Sequence, residues 1–136
     1  MINSNCGALA RILNRQPDAL AKQTCKNLIF AFHIHSGANC SGNEADEFAN
    51  VNGHFNPQNT PHPCHAGDMP PLFDAGGRAF SAFLTDRFTL PEIIGRTVII
   101  HNMPDDFTSQ PSGNAGEKIA CGVISKRKKE WKRTIC

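Results

Sequence analysis

A chain of 136 residues with 40% hydrophobic content is long enough for one domain with a single core and too short for two ordinary ones. No apolar run approaches the length needed to cross a bilayer, so no membrane span is expected. The net charge of +2 hides an asymmetry, because "KRKKEWKR" at residues 126–133 carries a local +5 and leaves the rest of the chain at −3; that acidic remainder argues against nucleic acid as the main partner.

The start of the chain lacks a basic n-region followed by an uninterrupted apolar stretch, so it does not read as a secretory signal and the chain is cytoplasmic by default. From Gly7 to Ala21 the apolar positions Leu9, Ile12, Leu13 and Leu20, interrupted by Pro17, predict a short broken helix. Residues 1–27 thus read as an N-terminal helix and coil segment. "NLIFAFHIH", 27–35, follows as a strand rich in β-branched and aromatic residues. Residues 36–78 are the opposite, with Gly, Asn, Pro and Asp throughout and almost no periodicity. A loop of roughly forty residues in a small domain is functional, disordered, or pinned by something other than a core. Further strands are expected at "RAFSAFLT", 78–85, "RTVIIH", 96–101, and "KIACGVIS", 118–125, with a second long loop, "PDDFTSQPSGNAG", between the last two. Short strands joined by long Gly- and Pro-rich connections indicate an all-β sandwich or barrel. The expected domain spans 28–125, and 126–136 is a basic tail that reads as a solvated end.

The six histidines are not scattered. His33 and His35 are two apart in a strand, which puts both imidazoles on one face while Ile34 takes the other. A lone buried histidine is usually a satisfied core residue, and the pair by itself leans the same way. The loop changes that balance: His54, His62, His65 and Asp68 supply three imidazoles and a carboxylate within fifteen residues, the ligand set of a closed tetrahedral zinc site. Such a site would order a loop that has no core of its own. His101 ends the strand 96–101, and with His33 and His35 makes an all-imidazole set that suits copper or zinc better than magnesium or calcium. His54 can serve either site, or bridge both if its ring loses both protons. The six cysteines form no CxxC pair, and an even count permits a disulfide without requiring one.

The spellings "FHIH", "GHFNP", "HAGD", "GRTVIIH", "PDDF" and "GNAGEKIACGVI", in this order, resemble the Cu/Zn superoxide dismutase family over about residues 28–125. The resemblance implies a Greek-key β-sandwich or barrel with copper and zinc as cofactors. It implies copper ligands His33, His35, His54 and His101, zinc ligands His54, His62, His65 and Asp68, and His54 as the bridge and proton donor. Asp105 matches the family's carboxylate that links ligands of both metals, and Cys40 and Cys121 fall where the family makes its disulfide. The implied reaction is disproportionation of superoxide to dioxygen and hydrogen peroxide by a copper that alternates between oxidation states. Lys118 stands where the family usually has Arg; it keeps the charge beside the copper and loses the planar fork of donors.

The chain departs from the family before "FHIH", where three strands are usual and only about 27 residues are available. The barrel is therefore expected to lack its first strands or to replace them with helix and coil, leaving apolar faces open, which favours self-association into a homo-oligomer. Two other functions compete with the enzyme: a zinc- or copper-binding module without turnover, because an incomplete barrel holds its ligands loosely, and a nucleic-acid binder acting through the basic tail and Trp131. The second is the weaker, since one aromatic in a short tail offers little stacking surface.

Overall fold

The computed structural model describes residues 8–15 and 28–126. Among them, strands β1 (Ala8–Arg15), β3 (Phe32–His35), β5 (Thr97–His101) and β6 (Lys118–Lys126) form one antiparallel sheet in the order β1-β6-β5-β3. Strands β2 (Ile29–Phe30) and β4 (Leu72–Phe73) form a second, two-stranded sheet. The only regular α-helix among the described residues is α1 (Leu90–Ile93), opened by a capping box in which the Thr89 N–H donates to Glu92 Oε2 at 2.7 Å. The all-β expectation holds.

Residues 8–15 correct the expectation of a broken helix: they form a strand paired with β6, from Ala8 opposite Lys126 to Arg15 opposite Ala120. The free edge of β6 offers a complete row of backbone hydrogen bonds, and that tertiary opportunity outweighs a weak local helical pattern. The strand expected at 78–85 is absent. Phe80 is 91% exposed and Leu84 fully so, and no described strand lies beside the segment to pair with it. Aromatic and apolar alternation gives a strand only where a neighbour completes the ladder.

Alternation along the strands puts an apolar core on each side of the large sheet, and a smaller third cluster of Phe30, Leu72 and Ile119 packs against Phe32 and Ile100. On one side Ile34, Val98 and Ile124 pack with Ile93 of α1 and with Phe55, Ala66 and Met69. On the other, Ile99 and Cys121 pack with Phe48 and Val51, with Cys40 against them. Cys40, Phe48, Val51, Phe55, Ala66, Met69 and Leu72 all belong to the long connection 36–78, so that connection is not without a core, contrary to expectation. It buries side chains singly, Phe48 to 1% and Val51 to 0% exposure, and each such burial stabilises by about 1.5–3 kcal/mol. Isolated anchors of this kind leave no periodic trace in a sequence.

The same connection is joined to β6 by the disulfide Cys40–Cys121, which spans 81 residues. Of the other cysteines, Cys64 is free and exposed; Cys6, Cys25 and Cys136 lie outside the described residues, as do 127–136 of the basic tail. Closing so long a loop restricts the unfolded chain strongly. Replacing both partners, Cys40→Ser with Cys121→Ser, is expected to cost about 4 kcal/mol, read as a lower denaturant midpoint. An unchanged midpoint would mean that the buried apolar anchors alone hold the connection.

Candidate metal centre

Two of the strands and one long loop bring all six histidines together. His33 and His35 share a face of β3, opposite Ile99 and Thr97 of β5. His101 ends β5, where the pairing with β6 slips between Ile100 and His101, an irregularity that re-aims a side chain at the end of a ladder. The loop then lies along β3: His54 bridges His35, and Asp68 bridges His33. The Ile34 N–H donates to the Gly67 carbonyl at 2.8 Å, and the Phe55 and Gly67 N–H groups donate to Ile34 and Phe55 carbonyls at the same distance. A Cβ on Gly67 would collide with the Ile34 carbonyl and sit 2.9 Å from the Phe55 nitrogen, so only glycine allows this close lamination.

Two groups of side chains result. His33, His35, His54 and His101 each offer an atom within 4.8 Å of the others, and so do His54, His62, His65 and Asp68. His54 belongs to both. Its ring centroid lies 3.9 Å from that of His33, 5.0 Å from His35 and 5.3 Å from His65.

Hydrogen bonds set which nitrogen of each ring carries the proton. His33 Nε2 faces Asp105 Oδ2 at 2.8 Å, His35 Nδ1 faces the Asn52 carbonyl at 2.6 Å, and His101 Nδ1 faces the Gly116 carbonyl at 3.1 Å. Each partner only accepts, so the proton belongs on the facing nitrogen and the other is a bare lone pair. Those remaining atoms, His33 Nδ1, His35 Nε2 and His101 Nε2, are buried without a hydrogen-bond partner, as are His54 Nε2 and His62 Nδ1. An unsatisfied buried acceptor costs about 1–3 kcal/mol. A cation placed among them converts that cost into ligation, and an imidazole-rich set favours copper or zinc. The residues present fit these metals.

The second group is more anionic. Asp68 Oδ1 is 2.7 Å from His54 Nδ1 and 3.3 Å from His65 Nδ1, and Oδ2 is 3.1 Å from His62 Nδ1. Burial pushes the Asp68 carboxyl up, but the hydrogen bond and charge of His54, with His62 and His65, outweigh it and hold the group below its usual range. Asp105 links the two groups: its Oδ2 holds His33, and its Oδ1 holds His62 Nε2 at 2.9 Å and the Phe107 N–H at 2.7 Å. Gly113 covers it with φ of 68°, where a Cβ would stand 2.6 Å from Asp105 Cγ and 2.7 Å from His62 Nε2.

Every residue that the sequence nominates for the two metals therefore reaches the site. Lys118 stands opposite His101 in the sheet, with its ammonium bound to Asp46 and the Phe48 carbonyl. The contributors missed in the sequence are backbone and remote groups. The Asn52 and Gly116 carbonyls have no side-chain signature, and Arg87 Nη1, which donates to the carbonyls of Pro63, His65 and Asp68 at 3.1–3.3 Å, lies 19 or more residues away from them. Asp46 carries no motif.

Comparison with known proteins agrees with this centre. The profile of the family described as copper/zinc superoxide dismutase (SODC) matches residues 18–124. The chain is 37% identical to superoxide dismutase [Cu-Zn] 2 of Aquifex aeolicus, over 91% of this chain and 75% of that one. Among solved structures, the Cu/Zn superoxide dismutase from Brucella abortus superposes with a TM-score of 0.62 at 30% identity, over 71% of this chain and 72% of that one. A SOD-like protein from Bacillus subtilis gives a TM-score of 0.55 at 30% identity, over 72% and 73%.

Burial is the main cause that lowers His33 and His35 to about 3 and His101 to about 4, from an ordinary 6.5. Below pH 6.5 the unfolded chain therefore binds more protons than the folded one, so stability rises with pH across this window and levels off above it. The metal-free protein is expected to lose on the order of 1–2 kcal/mol per ring between pH 7.5 and 5, measured by chemical denaturation. Equal stability at the two values would contradict neutral, buried rings.

Proposed function

This chain belongs to the copper/zinc superoxide dismutase family, and from that membership we propose the division of labour among its residues. The protein is an oxidoreductase that disproportionates superoxide and uses copper and zinc. In our reading His33, His35, His54 and His101 hold the copper, His54, His62, His65 and Asp68 hold the zinc, and His54 is shared. The observation that carries this reading is the convergence of bare, buried imidazole nitrogens on two adjoining points. A module that took up zinc alone would leave three of them, on His33, His35 and His101, without a partner.

When bound, copper supplies the one-electron couple that oxidises one superoxide to dioxygen and reduces the next to hydrogen peroxide, while zinc is redox-silent. The chain's residues do the rest. Asp105, the Asn52 carbonyl and the Gly116 carbonyl hold the three outer rings in one tautomer and orientation. His54 would carry one of the two protons: Nε2, the nitrogen without a partner, takes it from water and hands it to the peroxide, water supplies the second, and Nδ1 stays among Asp68, His62 and His65. Lys118 supplies positive charge beside His101, which favours approach of an anion.

We also propose that copies of the chain associate. Leu28, Phe73, Phe80 and Leu84 are exposed among the described residues, and a second copy of the same surface is the partner always at hand. Sedimentation at micromolar concentration is expected to give a dimer or larger; a monomer across the range would end this proposal.

Metal analysis tests the functional reading. The protein is expected to carry one copper and one zinc per chain and to consume superoxide; His101→Ala should lose copper and at least a hundredfold in rate while keeping zinc, and His65→Ala should lose zinc. Zinc binding alone, with no turnover after copper loading, would overturn it.

A further inference from the structure

Lys118 opens β6 opposite His101, yet its ammonium does not stand alone. Nζ forms an ion pair with Asp46 Oδ2 and reaches the Phe48 carbonyl at 3.4 Å. The carboxylate is held ready for this. Its Oδ1 accepts the Phe48 N–H at 3.0 Å, which leaves Oδ2 for the lysine. The Asp46 backbone is fixed in turn, because its N–H donates to Asn43 Oδ1 at 3.1 Å and its carbonyl accepts from Asn43 and Ala49 at 2.9 and 3.1 Å. Phe48 anchors the turn in the core beside Ile99 and Cys121, and the Cys40–Cys121 disulfide joins the same loop to the same strand. Asp46 is therefore a rigidly mounted counter-ion.

Lys118 acts at the histidine group directly, since its charge opposes protonation of His101, and Asp46 acts there through the ion pair with Lys118. The side chains are 21% and 42% exposed, so a small anion in solvent can reach both charges. A cation beside its counter-ion presents a dipole, whose field fades faster with distance than that of a free charge. Attraction of a small anion into the group is reduced accordingly.

We propose that Asp46 is a positioning residue that restrains Lys118 and thereby weakens anion capture at the first histidine group. This rests on the reading of that group as the copper site. Nothing in the reaction requires the carboxylate; it sets how strongly the lysine acts.

The test uses the copper- and zinc-loaded protein and azide, a small monovalent anion, titrated against the visible absorption of the copper. Asp46→Asn keeps an acceptor for the Phe48 N–H, and a thermal melt verifies the fold. It is expected to bind azide about threefold to tenfold more tightly and to show a steeper loss of both azide affinity and superoxide rate with added salt. Asp46→Glu should return both to wild-type values. In a Lys118→Ala background the gain from Asp46→Asn should fall by at least half, because the carboxylate acts through the lysine. Unchanged or weaker azide binding by a folded, fully loaded Asp46→Asn overturns the proposal, as does an equal gain in both backgrounds. A wild-type protein whose copper does not respond to azide sinks the copper reading itself, which a response altered by no variant does not.

Discussion

The site depends on one carboxylate. Asp105 places Oδ2 on His33 and Oδ1 on His62, 2.8 and 2.9 Å away, and so ties a ring from the strand group to a ring from the loop group. A carboxylate accepts from two sides without changing conformation, which makes the separation of the two rings a property of one rigid fragment. With His33 Nε2 and His62 Nε2 both committed, Nδ1 of each ring is turned inward. The loop 104–116 exists around this need: the Phe107 N–H supports Oδ1, and Gly113 closes over the carboxylate at a distance that no Cβ permits.

The long connection 36–78 serves packing and chemistry with alternate residues. Phe48 and Val51 enter one core and Phe55, Ala66 and Met69 another, while His54, His62, His65 and Asp68 face the metal groups. Because Phe55 and Gly67 are hydrogen-bonded along β3, their neighbours His54 and Asp68 are delivered to the sheet face where His33 and His35 already stand. Arg87 closes the far side of the loop through three carbonyls. The loop is ordered by apolar anchors and backbone bonds as well as by its ligands.

What was legible in the sequence was whatever a strand or a motif repeats. The i, i+2 spacing of His33 and His35 fixes their common face without reference to anything else, and β5 and β6 follow from β-branched runs with few alternatives. The ligand loop was legible through the density of imidazoles around Asp68. The segment 8–15 was not, because its helical pattern is weak and its strand conformation is dictated by the edge of β6, more than a hundred residues away. The segment 78–85 failed in the opposite sense: its composition suits a strand, and the neighbour that would make it one is absent from the described residues. Carbonyl partners such as Asn52 and Gly116 leave no trace in side-chain identity at all.

The arrangement that suits metals is unfavourable for the fold without them. Four imidazole nitrogens, on His33, His35, His54 and His101, are buried with neither a hydrogen bond nor an ion contact, at about 1–3 kcal/mol each, in a chain whose net stability is expected to be only about 5–15 kcal/mol. Water would relieve them but would also occupy the positions the ligands must leave open. The fold therefore keeps its ligands preorganised by means that do not involve the metals: the disulfide, the Asp105 link, the Arg87 clamp and the apolar cores. Because those bare nitrogens become ligands only in the folded chain, metal binding adds directly to folding free energy, and the same lone pairs that weaken the empty protein are what bind its metals.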